Sequence, residues 1–421
     1  MKKQIIVSIL IAVFFVVLVP GLSQAVVKIG LNYPKTGPYQ VQGLDQLRAA
    51  QLAVEELNAQ DGILGEKIVL VTRDSQSKPE VAKKNVSEMI DNEDVKMVFG
   101  GSSSAVAIAS GKVCHNKNVP FFGTLTYSTA TTGEEGLKTT FRECYNAWMA
   151  AEAMGEFLQS NYSSNNNKYL YITADYTWGH TTESSVREFT DTKDKSVHKG
   201  TKTPFPGASE KDFKKALNFA KMINPDVLVL VLFGNDMQTT IRLATSMGLK
   251  QKMQIIVPNL TLGMAEGAGA KVMEGVIGSL PWSWKIPFNY NYSRGKEFVN
   301  KFASRHDRYP STSGASAYTI LYEYKSAVER AGSFDTQAVT KSLEGHEYKL
   351  LKDKQYWRDF DHQSIQTVYL VQCKPAEEVM QDKFGLDCFE ILSSIPGEKA
   401  ARTYEEWSAV REEAGKPSEL R

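Results

Sequence analysis

The residues best suited to chemistry stand where short apolar runs stop. KMVFG is followed by Gly101-Ser102-Ser103-Ser104 and then by a helical pattern from Ala105. First-turn amides of a helix lack an intrahelical partner and carry partial positive charge, so serines there suit a carboxylate; plain helix capping is the competing use. VPFFG leads to Thr124-Leu125-Thr126-Tyr127-Ser128, VVKIGL to Gly37-Pro38-Tyr39, and YLYITA to Asp175-Tyr176-Thr177-Trp178-Gly179. VLVLF leads to Gly234-Asn235-Asp236, and QIIVP to Asn259-Leu260-Thr261. Hydroxyls, free amides and aromatic rings gather at these ends. Tyr127 and Trp178 suit an apolar or planar group, the alternative for Trp178 being a packed loop anchor. Trp282 and Trp284 read either as cleft wall or as a packing cluster at a hinge.

Enzyme constellations do not assemble from the sequence. The histidines are His115, His180, His198, His306, His346 and His362, and none stands three or four residues from another, so no helical metal pair forms. No GxSxG elbow, P-loop or HExxH occurs. Asp361-His362-Gln363 is a polar cluster before a strand with no serine or cysteine partner, and it reads as a hydrogen-bonded hinge or lobe contact. Gly267-Ala268-Gly269 does not follow a strand in the dinucleotide pattern. No catalytic residue, metal or cofactor is assigned.

The elements that must position these loops alternate. VVKIGL, KIVLVT, KMVFGG and VPFFG are short apolar strands; between them Leu47, Ala50, Val54 and Leu57 mark one helical stripe and Val81–Ile90 a second helix. After a polar loop at Ser160–Lys168 the pattern restarts: YLYIT, a helix from Thr181, a polar stretch over Lys193–Lys202, and a helix capped by Ser209 and ended by Asn224-Pro225. DVLVLVLF, QIIVP and GVIGS are three more strands. Strand-helix alternation implies α/β units with parallel sheets and helices on both faces. Two such units stand in series without a low-complexity linker, which predicts a shared hinge of crossing segments.

The N-terminus reads as a secretory signal: Lys2 and Lys3, an apolar run from Ile5 to Val19, and Ser23 and Ala25 at small-x-small spacing, giving a mature chain from Val26. An uncleaved anchor is the alternative, but the run is short of the ~20 residues of a span. The formal charge of +1 falls to −1 with the two lysines removed. A near-neutral chain gives no electrostatic case for nucleic acid. Four cysteines in an oxidising compartment suggest disulfides, with Cys373–Cys388 the preferred pair and Cys114–Cys144 a second candidate; buried free thiols are the alternative.

The ordered set of the GPY opening, GGSSSAVAIA, VPFFGTLTYS, DYTWG, ASEKDF, and ATSMGLK followed by IIVPN resembles the periplasmic solute receptors of the leucine/isoleucine/valine-binding type, which feed ABC importers. The resemblance implies the type I architecture: α/β, two doubly wound, mainly parallel-sheet lobes joined by three crossing segments, with a ligand trapped between them. The expected division is a signal at 1–25, lobe 1 at 26–146 plus 283–364, and lobe 2 at 147–282 plus 365–421 with a C-terminal extension. The resemblance puts Ser104 where the ligand carboxylate binds, Leu125 and Tyr127 on the next contact loop, Asn259 where amino-acid receptors place a carboxylate against the ligand ammonium, and Gly234 where they often carry a tyrosine. The candidate ligand set is therefore Tyr39, Ser103, Ser104, Leu125, Thr126, Tyr127, Trp178, Gly234 and Asn259, with Asp175, Asp236 and Trp282 as further candidates. An amide at Asn259 cannot neutralise a buried ammonium, which leans the ligand toward an aromatic or aliphatic carboxylate over a branched-chain amino acid. The expected partners are that small molecule and ABC permease subunits, in the periplasm. A sensory receptor of the same fold and, less favoured, a secreted hydrolase are the alternatives.

Overall fold

The computed structural model describes residues 25–421, so the signal-peptide expectation lies outside the described residues except for Ala25. The first sheet is wholly parallel and contains β1 (Val26–Tyr33), β2 (Lys67–Asp74), β3 (Met97–Gly100), β4 (Phe121–Gly123) and β5 (Thr140–Arg142), in the order β2-β1-β3-β4-β5. The second is built on β6 (Tyr169–Ala174), β7 (Lys199–Thr203), β8 (Val227–Val231), β9 (Gln254–Asn259) and β10 (Ile277–Leu280). A small antiparallel sheet follows from β11 (Glu347–Tyr348), β12 (Gln355–Trp357) and β13 (Ser364–Ile365). The chain then returns to the second sheet as β14 (Val368–Cys373) and β15 (Phe389–Ile395), completing the order β15-β14-β10-β9-β8-β6-β7. Only β14 is reversed there: it pairs antiparallel with both β10 and β15, and the other ladders are parallel.

Parallel strands covered on both faces should be apolar throughout rather than alternating. Every residue of β3, β6 and β8 is buried, which is why these strands stand out in the sequence. Helix Glu210–Ile223 shows the local logic of the layers. Ser209 and Asp212 form a reciprocal capping box, Phe213, Ala216, Leu217 and Ala220 face the core, and Asn224 ends the helix in the left-handed region at φ 48°. β7 departs from the expected polar stretch. It is an edge strand with ladder bonds to β6 alone, and its lysines keep the free edge in water. Helix Thr177–Phe189 also starts earlier than the Thr181 expected, which buries Trp178 in its first turn.

The chain passes between the two layers after β5, after β10, and again before β14. Gln363 stitches the first and third passages, its side-chain nitrogen donating to Cys144 O (2.9 Å) and Arg142 O (3.4 Å). Lys352 stitches the second and third, donating to Pro281 O and Thr367 O at 2.7 Å each.

One expectation is corrected. All four cysteines are buried free thiols. Cys373 stands opposite Phe389 in the β14–β15 ladder, one position out of register with Cys388. Successive strand residues point to opposite faces, so that offset turns the two side chains apart. Burial pushes the Cys388 thiol up to about 12. The C-terminal segment keeps β15 in the second sheet and then reaches back to the loop before β5. Its last helix, Tyr404–Glu413, lies against residues 132–136 between β4 and β5: Trp407 Nε1 donates to Thr132 O at 2.8 Å, and Arg411 to Gly133 O at 2.6 Å.

Candidate functional site

In an open α/β sheet the ligand crevice lies beyond the strand ends where strand order reverses. In the first sheet that point falls between β1 and β3, and in the second between β6 and β8. The four loops leaving these strands carry Tyr39, Ser102–Ser104, Tyr176–Trp178 and Phe233-Gly234, and they meet. Together with the loop after β4, they enclose a cavity lined by Tyr39, Ser102, Ser103, Ser104, Leu125, Thr126, Tyr127, Tyr176, Trp178 and Phe233.

The polar end is built on a strand-to-helix turn. Gly100 and Gly101 take φ of 122° and 91°, and a Cβ at Gly100 would sit 2.3 Å from Asn32 O, so only glycine allows the turn. Helix Ser104–Asn116 follows. Ser103 Oγ caps it by accepting from Val106 N at 3.3 Å, and among the described residues the amides of Ser103, Ser104 and Ala105 make no backbone hydrogen bond. Ser104 Oγ accepts from Ser128 N at 3.0 Å and from Thr126 Oγ1 at 3.4 Å. A hydroxyl with its acceptor sites taken still has one proton to give. This end therefore presents N–H and O–H donors and suits an anion.

The opposite walls are aromatic. Tyr176 stacks on Phe205 at 4.0 Å between centroids, and Tyr39 stacks on the same ring at 5.9 Å. Phe233 takes Tyr39 and Trp178 on edge at 5.2 and 5.9 Å. Tyr39 OH and Tyr176 OH are 3.0 Å apart across the cleft, and Ser128 Oγ and Thr181 Oγ1 make a second bridge at 3.0 Å. The cavity left between these rings is about 10 Å³, measured as room for the centre of a water. An organic ligand enters only when the rings part.

Gly234 adjoins the cavity without lining it. A Cβ there would meet Pro38 O at 2.5 Å and Tyr39 Cδ1 at 2.7 Å, so Tyr39 fills the space where a side chain at 234 would stand. Asn259 ends β9 and is buried, but it is set back from the cavity beside Tyr145, whose ring meets Tyr127 on edge at 5.5 Å. Among the described residues neither polar atom of its amide has a hydrogen-bond partner.

The further candidates are not among the residues that line this cavity. Asp175 is exposed and held by Lys202 (2.8 Å) and His180 (2.7 Å), which lower its pKa. Asp236, in the first turn of helix Gly234–Ser246, is pushed up to about 6 by burial. Trp282 belongs to a separate cavity of about 20 Å³ at the crossings, beside Glu143 and Lys352. Burial raises the Glu143 carboxyl and lowers Lys352 to about 8. Sequence reading missed Phe205 and Phe233 as site residues. Phe233 ends an apolar run and reads as strand core, and Phe205 lies in a segment without periodicity. Among the described residues no group of three or more His, Cys, Asp or Glu is placed to hold a metal, and no helix is long and apolar enough to cross a membrane.

The family described as periplasmic binding protein matches residues 26–378. Leu/Ile/Val-binding protein homolog 7 of Brucella abortus (strain 2308) is 26% identical over 340 residues, covering 76% of this chain and 81% of its own. A periplasmic binding protein from Burkholderia mallei superposes with a TM-score of 0.81 at 22% identity, over 90% of this chain and 97% of that one. A solute-binding protein of an R. palustris ABC transporter, solved in complex with benzoate, superposes with a TM-score of 0.74 at 18% identity, over 88% of this chain and 97% of the other.

Proposed function

The chain belongs to the periplasmic binding protein family, and on that footing we propose that it captures an aromatic carboxylate for an ABC importer. Residues 1–25 direct it to the periplasm and are removed there. The lobes close about the passages after β5, after β10 and before β14. Closure brings the two surfaces that flank the cleft into the relative position a membrane permease reads. Ligand that binds the closed form better shifts the population toward it.

One observation carries the ligand class: the cavity lining has donors at one end, aromatic faces at the other, and no carboxylate. An amino acid would bring an ammonium into a closing cleft, and an unpaired buried charge costs several kcal/mol. A flat ring with one carboxylate suits both ends of that lining. The carboxylate takes the Ser103–Ala105 amides and the Ser104 hydroxyl, and the ring takes the faces of Tyr39, Tyr176 and Trp178. The benzoate complex of the R. palustris protein is in keeping with this reading, whereas the Brucella relative's name points to leucine, isoleucine or valine.

Calorimetry with benzoate, 4-hydroxybenzoate, L-leucine and L-isoleucine tests it. Binding of the benzoates with little or none of the amino acids is expected. Binding of leucine alone would refute the aromatic reading and point to Asp236, the half-buried acid nearest Tyr39 and Tyr176, as the ammonium partner.

A further inference from the structure

Arg142 ends β5 and is completely buried, yet no carboxylate pairs with it among the described residues. Asp361, whose charge it feels, is already bound by Arg358. All its partners are neutral. Nε donates to Gln363 Oε1 at 2.6 Å, one Nη to Thr132 Oγ1 at 2.8 Å, and the other to Ser128 O. Burial lowers it only to about 10, so it stays charged at neutral pH. Ser128, held at its oxygen by Arg142, is held at its nitrogen by Ser104 Oγ. Thr132 is in turn fixed through its carbonyl by Trp407 of the C-terminal helix. A buried cation thus stands one residue and two hydrogen bonds behind the donor end of the cleft.

We propose that Arg142 is the positioning residue and buried counter-charge for the ligand's anionic group, acting through Ser128 on Ser104 without touching the ligand. This rests on the carboxylate reading above. A buried ion without a partner is costly, and an anion brought within its field in the low-dielectric cleft offsets that cost. The protein supplies neutral hydrogen bonds that hold the guanidinium in place and leaves its charge for the ligand. The C-terminal helix clamps the loop that does the holding.

Thr132→Asp tests this, because a carboxylate of nearly the same size then pairs with Arg142. With benzoate as the probe, a rise in Kd of at least tenfold is expected while thermal stability is held or increased. Thr132→Asn, neutral and of similar size, should stay within about threefold of wild type. Wild-type benzoate affinity in Thr132→Asp, or an equal loss in Thr132→Asn, would overturn the proposal. If Thr132→Asp does not fold, Arg142→Lys and Arg142→Met replace it, read as the ratio of benzoate to benzamide affinity. The ratio should survive in the lysine variant and fall in the methionine variant; an equal ratio in both would overturn it. Failure of the wild-type protein to bind benzoate would refute the aromatic reading instead, and L-leucine, also a carboxylate, then serves as the probe for the same variants. A wild type that binds neither ends both claims.

Discussion

Replacing Ser104 by alanine separates two jobs of one hydroxyl. As acceptor it satisfies the buried Ser128 amide at 3.0 Å, and as donor it faces the anion end of the cavity. Loss of the acceptor leaves a buried N–H unpaired, which costs about 1–3 kcal/mol of stability. Loss of the donor removes a charge-assisted bond worth about 1.5–3 kcal/mol, or roughly 10- to 150-fold in Kd at 1.4 kcal/mol per tenfold. Thermal unfolding reads the first effect, and calorimetry with benzoate and benzamide reads the second. The loss should be larger for benzoate, since only the anion makes the stronger bond. A lowered Tm with unchanged benzoate affinity, or equal losses for both compounds, would show that Ser104 ties its loop and does not hold an anion.

Gly234→Ala should weaken binding at least tenfold, because the added Cβ displaces Tyr39 and φ at 234 is +58°; scattering profiles that close normally with ligand would contradict this. Burial raises Glu323 to about 7, so the folded state holds its proton more tightly than the unfolded chain does. Stability from this group is present below about pH 4.5 and falls by on the order of 2–3 kcal/mol as pH rises to 7. Glu323→Gln should flatten the Tm–pH profile between those values, and an unchanged slope would refute the assignment. Trp407→Phe removes the donor to Thr132 O and should lower Tm by a few degrees, while raising the benzoate off-rate; an unchanged off-rate would free the C-terminal helix of any part in the site.

The strands that bear the site were legible because parallel strands buried on both faces are unbroken apolar runs, and ligands gather at their ends. The serine turn and the aromatic loops could be placed from that alone. β5, three residues long, and β7, whose lysines face water at an edge, carry no such run and read as loop. Arg142 could not be singled out, since a lone arginine reads as surface. Its burial depends on acceptors at 128, 132 and 363 that only the fold assembles. The cysteines misled for a related reason: their spacing allows a loop, and a one-position offset in the β14–β15 ladder forbids the bond.

The rings that wall the cleft also satisfy one another. Tyr39, Tyr176 and Phe205 form a continuous stack, with Phe233 at its edge. A ligand is therefore weighed against the protein's own tyrosine and phenylalanine faces. Its affinity is an exchange energy, the gain of new ring contacts less the loss of these. An aliphatic side chain can wedge the stack open but returns little of the edge and face interaction it breaks. A flat ring restores both. On the aromatic reading proposed above, discrimination by shape then needs no steric gate, because the cleft carries its own internal competitor, and only a molecule that imitates that competitor displaces it at low cost.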